Sequence, residues 1–162
     1  MAVIGLDPGS AITGFGILEE RADHSLKVID YGVLRTGPEL PVAERLQLLY
    51  EQLNELLVLH RPESGAVENL FFQRNVSTAI TVGQARGVLL LSLSQAGIPV
   101  AEYNPMEIKQ AVAGYGKADK RQVQQMVKML LGLDSIPRPD DAADALAVAI
   151  CHIHSRKFTQ LD

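Results

Sequence analysis

Apolar residues gather in three segments of the first third of the chain, AVIGLD, ITGFGILEE and LKVIDYGVLRT, parted by the turn Pro8-Gly9 and the polar loop Arg21 to His24. Each reads as a strand between turn-forming residues, and three strands in succession predict an antiparallel meander. From Val42 the period changes. Val42, Leu46, Leu49, Leu53, Leu56 and Leu57 recur largely at steps of three and four, the pattern of an amphipathic helix, which Pro62 terminates. The run GAVEN predicts a buried parallel strand, and a long helix follows from about Phe72 to Ala96. IPVAEY supplies a fifth strand. Asn104-Pro105 offers a helix cap and a first-turn proline. GYGKADK is a glycine-bearing loop leading to a helix over Lys120 to Leu131, and beyond Pro137 and Pro139 a last helix runs from near Asp140 to about Lys157. This order predicts an α/β domain: a mixed five-stranded sheet flanked by helices.

Within the long middle helix Ala79, Gly83 and Gly87 lie four apart on one face. Glycine costs a helix up to about 1 kcal/mol per site, and a stripe of small residues lets another backbone approach closely. Either another helix of the same chain or the same helix of a second subunit is expected to pack there.

The length, 162 residues, fits one compact domain, expected over residues 1–157 with a short C-terminal tail over 158–162. The longest apolar stretch, Val88 to Leu93, is too short to cross a bilayer, and Met1-Ala2-Val3-Ile4 lacks the basic start of a signal peptide. A cytoplasmic protein with no membrane partner is expected. Cys151 is the single cysteine, so an internal disulfide and a cysteine-based zinc cluster are excluded, and any metal must sit on oxygen or imidazole.

The net charge of −4 argues weakly against a nucleic-acid partner, but it is unevenly spread. Residues 1–65 carry five Lys/Arg against ten Asp/Glu, a balance of −5, whereas residues 66–131 carry seven against four, a balance of +3. One basic face can bind a polyanion while the rest stays acidic. Local charge predicts such a face from the long middle helix to Lys128.

Four carboxylates carry the candidate chemistry. Asp7 ends the first strand, Glu68 lies within or at the end of the fourth, and Asp141 and Asp144 open the last helix, three apart on one face. Adjacent central strands would bring all four together. Their mutual repulsion calls for a compensating cation, and magnesium, an oxygen-seeking ion that keeps several waters, is suited to the task. Two such ions roughly 4 Å apart would hold the attacking and leaving oxygens of a phosphodiester, which is nuclease chemistry. Ordinary readings stand beside this one: Asp7 before Pro-Gly as a turn former, Asp144 as a complement to the helix dipole, Asp140 as the helix N-cap. Glu68 beside Val67 is an expensive residue in a strand unless it has a partner. Asp140 and Asp144, four apart, also share a face, so the pattern alone leaves Asp140 and Asp141 as alternatives.

GLDPGSAITGFGIL, VENLFF, GQARG, YNPMEIKQAVAGYGKADK and DDAADALAVAICH, in that order and spacing from about Ile4 to His154, together resemble the RuvC family of crossover junction endodeoxyribonucleases. The resemblance implies a ribonuclease H-like fold, a homodimer, and two magnesium ions per active site, with manganese able to substitute. It further implies paired symmetric nicks in four-way junction DNA during homologous recombination and repair, in cooperation with the RuvA and RuvB branch-migration proteins. It assigns the metal-binding and catalytic carboxylates to Asp7, Glu68, Asp141 and Asp144, which favours Asp141 over Asp140. Phe71 matches an aromatic position expected to stack on a base at the opened crossover. Lys109 and Lys120 match basic positions that would bind phosphate or stabilise transition-state charge. Lys117 is expected as a general phosphate contact, and Arg74 and Arg86 would extend the basic track. His152 and His154, after the last apolar run, read as partners of the helix C-terminal dipole rather than metal ligands, and Cys151 reads as core.

Two other classes compete. DPG openings also occur in sugar kinases and actin-like ATPases, which bind nucleotide between two lobes, but 162 residues leave room for one domain and no Walker-type loop is present. A non-catalytic adaptor is disfavoured because an acidic cluster without metal hinders DNA binding.

Overall fold

The computed structural model describes residues 1–69 and 76–159. Three strands, β1 (Ala2–Asp7), β2 (Ile12–Glu20) and β3 (Leu26–Arg35), are followed by α1 (Val42–His60), β4 (Ser64–Glu68), α2 (Val76–Gln95), β5 (Val100–Tyr103), α3 (Pro105–Ala113), α4 (Lys120–Leu130) and α5 (Asp140–Thr159). The sheet order is β3-β2-β1-β4-β5. β1, β2 and β3 form the expected antiparallel meander, and β4 lies parallel to both β1 and β5. The predicted helix start near Phe72 lies outside the described residues. α5 reaches Thr159, two residues into the segment expected as a tail.

Strand alternation assigns each side chain to one of two cores. Ile4 and Leu6 of β1, Phe15 and Ile17 of β2, and Val67 of β4 face α1 and α2, packing on Leu49, Leu53, Leu89 and Leu93. The intervening positions, Val3, Leu18 and Ala66, face the layer of α3, α4 and α5. By the same alternation Gly5 and Asp7 of β1, Gly14 and Gly16 of β2, and Glu68 of β4 share that second face.

Glycine at three of these positions brings α5 down onto the sheet. A Cβ on Gly5 would overlap the Ala145 carbonyl and the Ala149 backbone nitrogen, one on Gly14 would overlap the Asp141 carbonyl, and one on Gly16 would press on Leu146. From the helix side Ala142, Ala145 and Ala149 are fully buried. Small residues on both surfaces therefore set a helix–sheet separation that ordinary side chains would prevent.

α5 also corrects the reading of its histidines. The helix continues seven residues beyond His152, so neither His152 nor His154 sits at its C-terminus. His152 is buried, with Nδ1 2.9 Å from the Tyr103 hydroxyl and Nε2 3.0 Å from Ser64 Oγ. Burial, aided by the nearby Arg156 charge, pushes its imidazole down to about 4, which keeps it neutral as a tie between the helix and the sheet. His154 Nδ1 is bonded to the Ala111 carbonyl at 3.2 Å. Cys151 is buried in the core, and burial pushes its thiol up to about 11.

Candidate metal centre

Asp7 and Glu68 end neighbouring parallel strands whose register runs through Leu6↔Val67, one residue earlier. Both carboxyl groups therefore emerge together at the carboxyl end of the sheet, on the α5 side, and they share a hydrogen bond. The Pro139 carbonyl accepts from the backbone N–H groups of Ala142 and Ala143, which starts α5 over Gly14. Asp141 and Asp144 then point from its first turns at Asp7, and carboxylate oxygens of Asp7, Asp141 and Asp144 lie within 4.8 Å of one another.

The electrostatics are strained in one direction. Burial, with the Glu68 charge next in size, pushes the Asp7 carboxyl up to about 9. Glu68 is also raised, chiefly by burial and further by Asp144, against the lowering effect of its bond to Asp7 and of Lys109 and Lys120. Asp144 is raised by burial, and Lys120 offsets part of that shift. Buried carboxylates with too little positive charge, all presenting oxygen and opening on a cleft, fit a hard divalent cation such as Mg2+ or Mn2+.

The cleft is lined by Glu68 and Asp144, by Lys109 from α3 and Lys120 from α4, and by Ile108 and Val123. Capping boxes fix both lysine-bearing helices. Asn104 accepts from the Glu107 backbone N–H at 2.8 Å while Glu107 accepts from that of Asn104 at 3.1 Å. Asp119 and Gln122 make the same exchange on α4, both bonds at 2.8 Å. Residues 105–131 carry five basic groups, Lys109, Lys117, Lys120, Arg121 and Lys128, against the two capping acids Glu107 and Asp119, so their balance is positive. Lys117 is exposed on the loop before α4, outside the cleft lining.

Four expected residues turn out otherwise or lie outside the described residues. Asp140 is not the N-cap: it is the first residue of α5, and its carboxylate lies 3.0 Å from Lys120 Nζ and accepts a bond from Gln124 at 3.3 Å. Arg86 is not a free member of a basic track, because β-strand alternation turns Glu102 toward α2, where the two form an ion pair. Phe71 and Arg74 lie outside the described residues. Sequence reasoning passed over Gly5, Gly14 and Gly16. The available signal was Gly14 and Gly16 at alternate positions of one strand, which removes two side chains from the same face.

The family profile described as "Crossover junction endodeoxyribonuclease RuvC" matches residues 3–152. Curated relatives carrying that description include one from Roseiflexus sp., 60% identical over 152 residues (94% of this chain and 90% of the relative). Another, from Chloroflexus aurantiacus, is 59% identical over 160 residues (99% and 97%). The structure of Thermus thermophilus RuvC in complex with Holliday junction substrate superposes with a TM-score of 0.93 at 39% identity, covering 98% of this chain and 96% of that one. The yeast mitochondrial Holliday junction resolvase Ydc2 shares the fold, with a TM-score of 0.67 at 13% identity over 98% of this chain and 81% of its own. The sheet and its flanking helices are the ribonuclease H-like resolvase fold.

Proposed function

The chain belongs to the RuvC family of crossover junction endodeoxyribonucleases, and on that basis we propose that it resolves Holliday junctions in recombination and DNA repair by paired, symmetric phosphodiester hydrolysis. The observation that carries the reading is the convergence of Asp7, Asp141 and Asp144 within 4.8 Å, with Glu68 hydrogen-bonded to Asp7. These four carboxylates would hold two Mg2+ ions, or Mn2+ in their place. The ions would supply hydroxide near neutral pH and neutralise charge on the attacked phosphate.

The remaining work belongs to the chain. Lys109 and Lys120, on the cleft wall opposite the sheet, draw a phosphate toward the carboxylates and balance the charge that grows on its oxygens. Lys117 adds a phosphate contact outside the cleft. Phe71, between Glu68 and α2 in sequence, is suited to stacking on an unpaired base at the crossover.

A four-way junction presents two equivalent strands, and a two-fold symmetric homodimer offers two identical sites to match them. The outer face of α2 supports that assembly. Gly83 and Gly87 have open space where a Cβ would stand, and Val76, Ile80 and Leu91 are exposed on the same helix. Among the described residues no helix of this chain covers the stripe, and a second subunit packing there would cover it. RuvA and RuvB, the branch-migration proteins, are the proposed partners in a cytoplasmic assembly on DNA. No helix among the described residues is long and apolar enough to cross a membrane.

The test is cleavage of a synthetic four-way junction with Mg2+, wild type beside Glu68→Gln. Nicks at symmetric positions in opposed strands are expected, lost in the variant with junction binding retained. A wild type that binds the junction without cutting it would sink the nuclease reading, and one that cuts structured RNA in preference would redirect it. Sedimentation should show a dimer at micromolar concentration; a stable monomer would remove the paired-nick arrangement.

A further inference from the structure

We infer that Asp140 is a positioning residue: it holds the Lys120 ammonium at the rim of the cleft and keeps it from settling among the carboxylates that would bind metal. Lys120 Nζ lies 3.0 Å from Asp140 Oδ2 and 4.0 Å from Asp144 Oδ2, so two carboxylates compete for one ammonium and the nearer is Asp140. Asp140 is not among the three acids whose ligand atoms converge. It is instead fixed from the other side, where its Oδ1 accepts from Gln124 Nε2 at 3.3 Å. Lys120 and Gln124 are one helical turn apart on α4, so a single carboxylate from the first turn of α5 clamps one face of the neighbouring helix.

The arrangement matters because lysine is a compact charge on a flexible stem. With Asp140 neutralised, the closest carboxylate left to Lys120 is Asp144. An ammonium seated there occupies oxygens that a divalent cation needs and is withdrawn from the position where it would meet phosphate. Asp140 therefore keeps Lys120 serving the substrate instead of competing with the metal. This inference rests on the proposed metal-dependent cleavage.

The experiment is a double-mutant cycle of Asp140→Asn and Lys120→Gln, read first by calorimetric titration of the free protein with Mn2+. Both side chains are more than half exposed, so the fold survives either change. Asn at 140 keeps an acceptor for Gln124 and loses only the charge. Asp140→Asn is expected to weaken Mn2+ binding about tenfold in the wild-type background and to leave it unchanged in Lys120→Gln, a coupling of the size found between contacting groups. The second readout is single-turnover cleavage at saturating junction, expected about tenfold slower in Asp140→Asn with junction affinity unchanged. Equal weakening of Mn2+ binding in both backgrounds would mean that Asp140 acts through its own field, and no weakening in either would mean that it does not act on the site; both overturn the inference. A wild type that binds Mn2+ and shows the coupling but cuts no junction would defeat the nuclease reading alone.

Discussion

Asp7→Asn is expected to reduce junction cleavage by about a thousandfold or more, corresponding to the several kcal/mol of transition-state charge stabilisation that a bound metal provides. Junction affinity should persist, because Asp7 is buried on the sheet while the basic groups lie on α3 and α4. The same substitution should make the metal-free protein more stable at neutral and alkaline pH. In the folded chain the Asp7 carboxyl keeps its proton to about 9, against 3.8 in its unperturbed state. A raised folded-state value adds stability that is full below about pH 4 and is lost progressively as the pH climbs toward 9. Asparagine, which does not ionise, removes that loss. Mg2+ acts in the opposite sense, stabilising the wild type by binding the ionised carboxylates of the folded state, and does so more strongly at pH 8 than at pH 5. Thermal melts of both proteins at the two pH values, with and without Mg2+, together with single-turnover cleavage, check the expectation. Cleavage by Asp7→Asn within tenfold of wild type, or a variant no more stable than wild type at pH 8 without metal, would refute it.

Gly14→Ala should have the second largest effect, although residue 14 bears no chemistry. Its new methyl group would overlap the Asp141 backbone carbonyl, which cannot rotate aside as a side chain can. Either α5 lifts off β2 or the strand recedes from the helix, and in both cases Asp141 and Asp144 move relative to Asp7. Overpacking of this kind costs about 1–3 kcal/mol, and a displacement near 1 Å at a catalytic group can lower turnover by about a hundredfold. Gly32→Ala is the control. Its methyl would meet the Phe15 ring at 3.2 Å, on a side chain facing α1 and α2, so stability falls but cleavage per folded molecule stays near wild type. Full activity and an unchanged melting temperature in Gly14→Ala would show that the close approach of helix and sheet does not fix the site.

Much of this site is written locally in the sequence. Asp7 and Glu68 each close an apolar run at a strand end, where a carboxylate needs a reason to be, and Asp141 and Asp144 stand at helical spacing. The choice between Asp140 and Asp141 is not local. Helical geometry lets either residue share a face with Asp144, and only the position of the sheet beneath Gly14 decides which one turns inward. Arg86 illustrates the same limit, because its partner Glu102 belongs to a different element and register alone brings them together. His152 bonds to Ser64 and Tyr103, 88 and 49 residues away in the chain. Hydrophobic periodicity reports which face of a segment is buried, and it says nothing of which distant polar group waits on that face.

The glycines of this chain also bear on how it could be toughened. Exchanging glycine for alanine is a routine way to raise the melting point of a protein, and the structure divides the candidates sharply. At Gly5, Gly14 and Gly16 there is no room for a methyl group, whereas Gly83 and Gly87 stand in open space within a helix. Each of those two exchanges would add up to about 1 kcal/mol of helix propensity. The added methyls, however, land on the surface proposed to meet the second subunit. Selection for heat resistance alone would thus work against the proposed dimer, and with it against the paired nicks that such a dimer is proposed to make.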